Sequence, residues 1–407
     1  MSNSFADRMQ HTQPSDIREI LLKTSEGGYI SFAGGIPDPE LFPVETLNEL
    51  AQKVLRDHSS RALQYGPTPG LLPLREKIAA LMSSIGVEAD VDHIQITSGA
   101  QQGISLSGTI FVNPGDLIIT ERPTYSAAIN ALDLYRPRYQ DVESDEEGPD
   151  IEQVRACVQP EQHVKLAYMI PNFQNPSGRL WSSKRRVAFM DALGGSGTRI
   201  IEDDPYGQLA FRDQPPPPLK AIDEDGRVIY LGSFSKVLCP GLRVGWIVAT
   251  PEILAQYNLA KQFNDLHTSS FDQELINAYL EDGSLQSQID RIRETYSSRC
   301  AAMLSALDEA FPAEVSFTRP EGGLFTWVEL PAEINSRELL ELAMQEKVAF
   351  IPGDGFFATR PMTNTLRLNF SAMGSKQIKE GIAILGKIVH KMLDQSENLP
   401  VGKQRKE

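Results

Sequence analysis

Between residues 94 and 249 the chain repeats one unit: a short run of Ile, Val and Leu, a turn of small or polar residues, then a stretch with helical spacing. That alternation leaves few folds open. Short, continuously apolar runs are strands buried on both faces, and a strand that follows a helical crossover lies parallel to its predecessor. Strands are expected at residues 94–97, 117–120, 165–170, 198–202, 228–232 and 242–249, and helices at 100–112, 125–134 and 184–193. The pattern implies an α/β fold with a mostly parallel sheet sandwiched by helices. The carboxyl ends of parallel strands share one edge, and ligands bind outside that edge. Residues just after a strand are therefore the first to inspect.

The flanks read differently. Ser15 is placed to cap a short helix with Ile17, Ile20 and Leu21 as its apolar stripe, and residues 30–43 form an irregular arm rich in Gly and Pro. Helices are expected at 45–55 and 71–84. From 271 to 311 helical spacing dominates, with Leu285, Ile289, Ile292 and Tyr296 on one stripe. Strands at 325–329 and 366–370, with helices at 336–346 and 376–393, imply a smaller α+β layer. A chain of 407 residues supports two such domains. The expected division is an arm at 1–44 covering the site, a large domain at 45–285, a small domain at 286–395, and a flexible tail at 396–407. The run Pro215–Pro218 reads as a solvent-exposed spacer.

Formal net charge is -15, which argues against a nucleic-acid surface. No apolar stretch approaches membrane-spanning length, and the N-terminus lacks the cationic start and apolar run of a secretory signal. Cys157, Cys239 and Cys300 are too dispersed for a disulfide framework or a zinc set, and the histidines have no metal-ligand spacing. The expectation is a cytoplasmic enzyme with no metal, no membrane and no nucleic-acid partner.

Ser233-Phe234-Ser235-Lys236 follows one expected strand directly. An amine held there can form a Schiff base with an aldehyde, and Ser233 and Arg243 can bind a phosphate. Together with Pro240-Gly241-Leu242-Arg243-Val244-Gly245, the motif resembles the lysine signature of the class I/II aminotransferases of pyridoxal-phosphate (PLP) fold type I. The resemblance extends from about residue 30 to residue 370, nearest to the broad-specificity aromatic and 2-aminoadipate aminotransferases.

The resemblance implies a role for each matching residue. Lys236 would anchor pyridoxal 5'-phosphate and then shuttle the substrate proton. In Ile201-Glu202-Asp203-Asp204-Pro205-Tyr206, Asp203 would pair with the pyridine nitrogen and Tyr206 with the phenolic oxygen, leaving Asp204 as a solvated turn or cap. Asn175, in Asn175-Pro176-Ser177-Gly178, would donate to that same oxygen and face the substrate, with Asn172 shaping the loop. The Ser98-Gly99-Ala100-Gln101 turn, with Ser233, Ser235 and Arg243, would form the phosphate cup, Gln101 adding its side chain. Tyr125 would stack on the ring, and Tyr65 would reach the phosphate of the neighbouring subunit, making a homodimer with shared sites. Arg367 would clamp the substrate carboxylate under the arm at Gly34 and Gly35. Arg18 is a candidate for a distal carboxylate, and Tyr29, Phe356 and Phe357 for the side-chain pocket.

The implied reaction moves the amino group of an L-amino acid to a 2-oxo acid, with 2-oxoglutarate as the expected acceptor, by a ping-pong cycle. A lyase or elimination enzyme could share this site. A cofactor-sensing regulator would need a DNA-binding module, and only about fifteen residues precede Ser15.

Overall fold

A computed structural model of the protein describes residues 6–10, 16–25, 27–159 and 162–397. Its main sheet has eight strands. From one edge to the other they are Ile94–Thr97, Gly245–Val248, Val228–Ser233, Arg199–Asp203, Val164–Met169, Leu117–Arg122, Arg138–Asp145 and Gly148–Pro149. The pairings from Val228–Ser233 across to Arg138–Asp145 are all parallel. Alternate side chains feed two cores, as strand geometry requires. Ala167, Met169, Ile200 and Val228 pack with Trp181 and Phe189 on one face. Leu166, Tyr168, Ile201 and Ile229 join the main core on the other.

Gly245–Val248 is antiparallel to both neighbours. The chain between Ser233 and Gly245 holds only the short 3-10 turn Pro240–Leu242, so no crossover helix reverses it. The expected strand at 242–249 is shortened for the same reason: Arg243 adopts a left-handed backbone, with φ at 51°. The reversal sets Gly245 opposite both Thr97 and Ser233. A Cβ on Gly245 would lie 2.7 Å from the Gly232 carbonyl and 2.8 Å from the Ala100 nitrogen, so only glycine permits this approach.

Several elements of the large layer carry no strong sequence signal. Arg138–Asp145 is a polar strand near the edge, and helix Pro251–Asn264 buries Tyr257 and Lys261 among many exposed positions. The expected helical region 271–311 divides into Ser270–Asp282 and Leu285–Ala310 at Gly283, whose φ of 79° is a common helix stop. The Pro215–Pro218 run is not a free spacer. Pro218 is buried, and the Pro217 carbonyl accepts a hydrogen bond from buried Arg186 at 3.2 Å. A buried guanidinium needs acceptors, and this loop supplies one.

The second layer is an antiparallel sheet ordered Ser316–Phe317, Phe325–Glu329, Thr365–Asn369 and Ile351–Pro352. Helices Ser336–Gln345 and Ser375–Glu397 accompany it, and the latter runs past the expected start of the tail at 396. Ile30–Ser31 pairs in parallel with Val348–Ala349, tying the arm to this layer. Asp38 caps the turn Pro39–Leu41 and pairs with Arg299 at 2.6 Å. The expected cap Ser15 and the tail from 398 onward lie outside the described residues; helix Asp16–Ser25 follows Ser15 directly.

Candidate active site

Strand Val228–Ser233 ends in a turn closed on its own hydroxyls. Ser233 Oγ donates to Ser235 Oγ at 2.8 Å and accepts from the Ser235 nitrogen at 3.0 Å. Lys236 follows, and its Nζ donates to the Gly35 carbonyl at 2.9 Å. Burial, reinforced by the charges of Arg367 and Arg243, lowers the Lys236 ammonium to about 8. A lysine so placed offers a neutral amine close to physiological pH.

Asp203 is the last residue of the neighbouring strand. Its Oδ2 accepts from the Tyr168 hydroxyl at 2.6 Å, while its Oδ1 is buried with no partner among the described residues. Burial pushes this carboxyl up to about 7, aided by Asp204 and opposed by Tyr168 and Lys236. Asp204 is not the solvated residue expected from the sequence. It is buried, and accepts from the Gly207 nitrogen at 2.8 Å and the Tyr230 hydroxyl at 2.9 Å. Its turn-closing part holds; its exposure does not, because those donors, together with the Asn172 side chain, replace water.

Asn175 and Arg367 meet in the cleft between the two sheets. Arg367 Nη1 donates to Asn175 Oδ1 at 2.9 Å and Nη2 to the Ala33 carbonyl at 2.7 Å. The guanidinium lies over the Phe325 ring at 4.3 Å and the Phe356 ring at 5.0 Å. Burial lowers it to about 10. Tyr206 is buried beside Asn175, with which its hydroxyl hydrogen-bonds, and meets Phe325 edge-on at 5.9 Å. Burial holds the Tyr206 hydroxyl well above the ordinary phenol range. Gly178, with φ at 70°, presses the Asn175 loop onto the small sheet, since a Cβ there would lie 2.4 Å from the Phe325 carbonyl. The arm is thus gripped twice through its backbone, at Ala33 by Arg367 and at Gly35 by Lys236. Gly34 packs toward Leu21 of helix Asp16–Ser25.

Helix Ala100–Phe111 starts at Gly99, whose φ is 81°. Arg243 stretches across this start, donating to the Ser98 carbonyl at 3.3 Å, and a Cβ on Gly99 would fall 2.4 Å from its Nη2. Free first-turn N–H groups beside an exposed guanidinium make an anion seat. The expected side-chain ligand Gln101 is turned elsewhere: its Nε2 donates to the Ala127 carbonyl at 3.0 Å. Ser98 Oγ likewise donates to Asp265 at 2.8 Å, and Asp265 is paired with buried Lys261. The seat is left mainly to backbone and Arg243.

The remaining expected residues divide. Tyr125 sits half-buried before helix Ser126–Asp133, and its hydroxyl feels the charges of Asp203, Arg367, Arg243 and Arg18. Arg18 itself is exposed. Tyr65 stands apart, 79% exposed, with its ring edge-on to His267 at 5.8 Å. Tyr29 is taken by Lys347, whose Nζ lies 4.5 Å over its ring. Phe357 lies under Arg122 at 4.7 Å. Tyr168 and Phe325 were not singled out in the sequence. A lone tyrosine in an aliphatic strand was the one clue to Tyr168; Phe325 had none.

The sequence model of the aminotransferase class I and II family matches residues 32–385. The chain belongs to that family. It is 42% identical over 390 residues to aromatic-amino-acid aminotransferase 1 of Thermococcus litoralis, spanning 95% of this chain and 94% of that one. It is 40% identical over 395 residues to the 2-aminoadipate transaminase of Thermus thermophilus, spanning 96% and 98%. Among solved structures it is similar to a kynurenine aminotransferase of Pyrococcus horikoshii in complex with PMP, KYN as substrates and KYA as products. That likeness has a TM-score of 0.92 and 39% identity, covering 96% of this chain and 98% of the other.

The protein is therefore an aminotransferase of PLP fold type I. It takes pyridoxal phosphate as its cofactor and moves an amino group from an amino acid to a 2-oxo acid. Its residues fit that cofactor: Asp203 Oδ1 is a buried acceptor that no donor among the described residues satisfies, and Gly99 keeps Arg243 close to the helix start. Among the described residues, no helix of this aminotransferase is long and apolar enough to cross a membrane, and no group of three or more His, Cys, Asp or Glu could hold a metal ion.

Proposed function

We propose that this aminotransferase has broad specificity, transferring amino groups from aromatic and acidic L-amino acids to 2-oxoglutarate, as a cytoplasmic homodimer. The observation that carries the reading is the shared grip on the arm. Lys236 and Arg367, an amine and a carboxylate clamp, hold the carbonyls of Gly35 and Ala33, two residues apart. The names of the relatives, covering aromatic amino acids, 2-aminoadipate and kynurenine, support the substrate range.

When bound, pyridoxal phosphate supplies the electron sink that acidifies the substrate Cα–H. Asp203 holds the proton on the ring nitrogen, and Tyr206 and Asn175 hold the phenolic oxygen. Tyr125 covers the ring. The Ser98–Gly99 turn, the Ala100 and Gln101 nitrogens, Ser233, Ser235 and Arg243 hold the phosphate, joined by Tyr65 of the partner subunit. Arg367 leaves the Ala33 carbonyl for the substrate carboxylate, and Asn175 and the Gly34–Gly35 backbone fix its orientation. Lys236 would leave the Gly35 carbonyl, hold the cofactor, and then move the proton of the substrate Cα. Arg18 meets a distal carboxylate. In this reading residues 45–285 carry the cofactor, while 1–44 and 286–395 close over the substrate.

A half-reaction screen tests it: the holoenzyme is mixed with single amino acids and cofactor absorbance is followed. Aromatic amino acids, glutamate and 2-aminoadipate should each convert the cofactor to its amine form, and 2-oxoglutarate should restore it. Conversion by none of them would sink the substrate assignment.

A further inference from the structure

We propose that Tyr168 is a positioning residue for Asp203: its hydroxyl ties down one carboxylate oxygen so that the other is presented, as an anion, to the ring nitrogen of the cofactor. The inference rests on the reading of Asp203 given above.

Strands Val164–Met169 and Arg199–Asp203 are parallel neighbours, with Tyr168 paired to Ile201. Asp203 is two residues beyond Ile201, hence on the same face as Tyr168 and one step nearer the sheet edge. Tyr168 is fully buried, between Leu166 and Ile170 on its own face. A buried phenol needs a hydrogen-bond partner, and here the partner is Asp203 Oδ2 at 2.6 Å. Asp203 Oδ1 is left buried and unsatisfied among the described residues. A carboxylate held at one oxygen cannot rotate freely about its Cβ–Cγ bond. The hydrogen bond therefore fixes where the free oxygen points.

The same contact sets charge. Burial and Asp204 disfavour the Asp203 anion, while Tyr168 and Lys236 favour it. Tyr125 and Tyr206 also face Tyr168, and Tyr230 faces Asp204 and Asp203. Among these groups Tyr168 is the one that donates a hydrogen bond to the Asp203 side chain. A protonated Asp203 could donate to the ring nitrogen but could not keep it protonated, so the electron sink would weaken.

The test uses Tyr168→Phe, Asp203→Asn and the double variant. Two quantities are read: the dissociation constant of pyridoxal phosphate for the apoprotein, and the pH midpoint of the holoenzyme's visible absorbance. Phenylalanine keeps the ring volume, and thermal melting of each apoprotein checks that the fold is retained. Tyr168→Phe should weaken cofactor binding by about tenfold, the usual effect of losing a hydrogen bond to a charged group. It should also move the absorbance midpoint and lower kcat with little change in KM for the amino donor. In the Asp203→Asn background the same substitution should change affinity by less than about twofold, because the carboxylate charge that Tyr168 supports is gone.

If Tyr168→Phe changes neither affinity nor midpoint while Asp203→Asn changes both, Tyr168 is core filler and the proposal falls. If the two effects multiply in the double variant, Tyr168 acts elsewhere, and it falls too. If Asp203→Asn itself leaves both readings unchanged, the assignment of Asp203 fails first and takes Tyr168 with it.

Discussion

On the proposed assignment the site has a cofactor wall and a substrate wall, and the two are built by different means. The cofactor wall is a sheet edge: Asp203, Ser233, Lys236 and the Gly99 turn sit at or just after the carboxyl ends of Arg199–Asp203, Val228–Ser233 and Ile94–Thr97, and Arg243 joins them through the reversed strand Gly245–Val248, which lies between the last two. The substrate wall has no such frame. Arg367 comes from the small sheet, Asn175 from a loop, Phe356 from a 3-10 turn, and the arm offers only backbone carbonyls. One wall has its positions set by strand register; the other is assembled from separate segments. Cofactor chemistry can therefore stay constant while the substrate wall is adjusted. The first expected consequence is that substitutions on one wall leave the binding affinity at the other wall nearly unchanged.

Lys236→Ala gives the largest effect. On the proposed roles, losing both the covalent anchor and the proton shuttle should lower the single-turnover rate constant by about four orders of magnitude. Multiple-turnover activity near the wild-type rate would refute its role. Arg367→Ala comes next. Breaking a buried, multiply bonded guanidinium site should lower kcat/KM by about a hundredfold or more, expressed mainly through KM for the amino donor. Cofactor affinity, measured by titrating the apoprotein, should hardly move. A loss of cofactor affinity matching the loss of kcat/KM would break the division between walls.

The walls do communicate through charge, which gives the next prediction. Burial, then Arg367, then Arg243 lower Lys236 from 10.5 to about 8. These influences disfavour the ammonium, so the reactive neutral amine appears at lower pH than in an ordinary lysine. The rate at which apoprotein captures pyridoxal phosphate covalently should rise about tenfold between pH 7 and 9 and level off above. Removing the positive charge at Arg367 should shift that curve to higher pH. Stopped-flow absorbance across the range would show it, and a curve still climbing at pH 10 would contradict the depressed value.

The same contrast explains what could be read from sequence. Lys236, Asp203 and Arg243 were legible because a parallel sheet gathers whatever follows its strands, and because the segment spacings match a family. Tyr168 was not, since a tyrosine inside an apolar strand looks like core until its partner in the next strand is known. Ala33 and Gly35 act through carbonyls, which no residue letter encodes. Gln101 was assigned to the cup by resemblance, yet its amide is engaged with the Ala127 carbonyl. Asp204 looked solvated because charge normally signals exposure; Gly207 and Tyr230, which satisfy it, are distant in character and in sequence respectively. The strand Arg138–Asp145 is not legible because strands near an edge need no apolar run.

Glycines on the two walls offer the finest comparison. Gly99→Ala puts a side chain at φ 81°, with its Cβ 2.4 Å from Arg243 Nη2. Strain at a positive φ and displacement of the guanidinium should together raise the cofactor dissociation constant by about tenfold. Gly35→Ala faces a softer obstacle. Its Cβ would lie 3.1 Å from Phe325 Cζ and 3.9 Å from Arg367 Nη1, with no positive φ to violate. A shift of the Phe325 ring by a few tenths of an ångström relieves the contact, at a cost of about 1 kcal/mol. KM for the amino donor should then rise only about two- to threefold, because Arg367 is nudged rather than displaced. Cofactor affinity should stay at its wild-type value. If Gly35→Ala weakened cofactor binding as much as Gly99→Ala, the arm would belong to the cofactor wall, and the hold of Lys236 on the Gly35 carbonyl would be the reason.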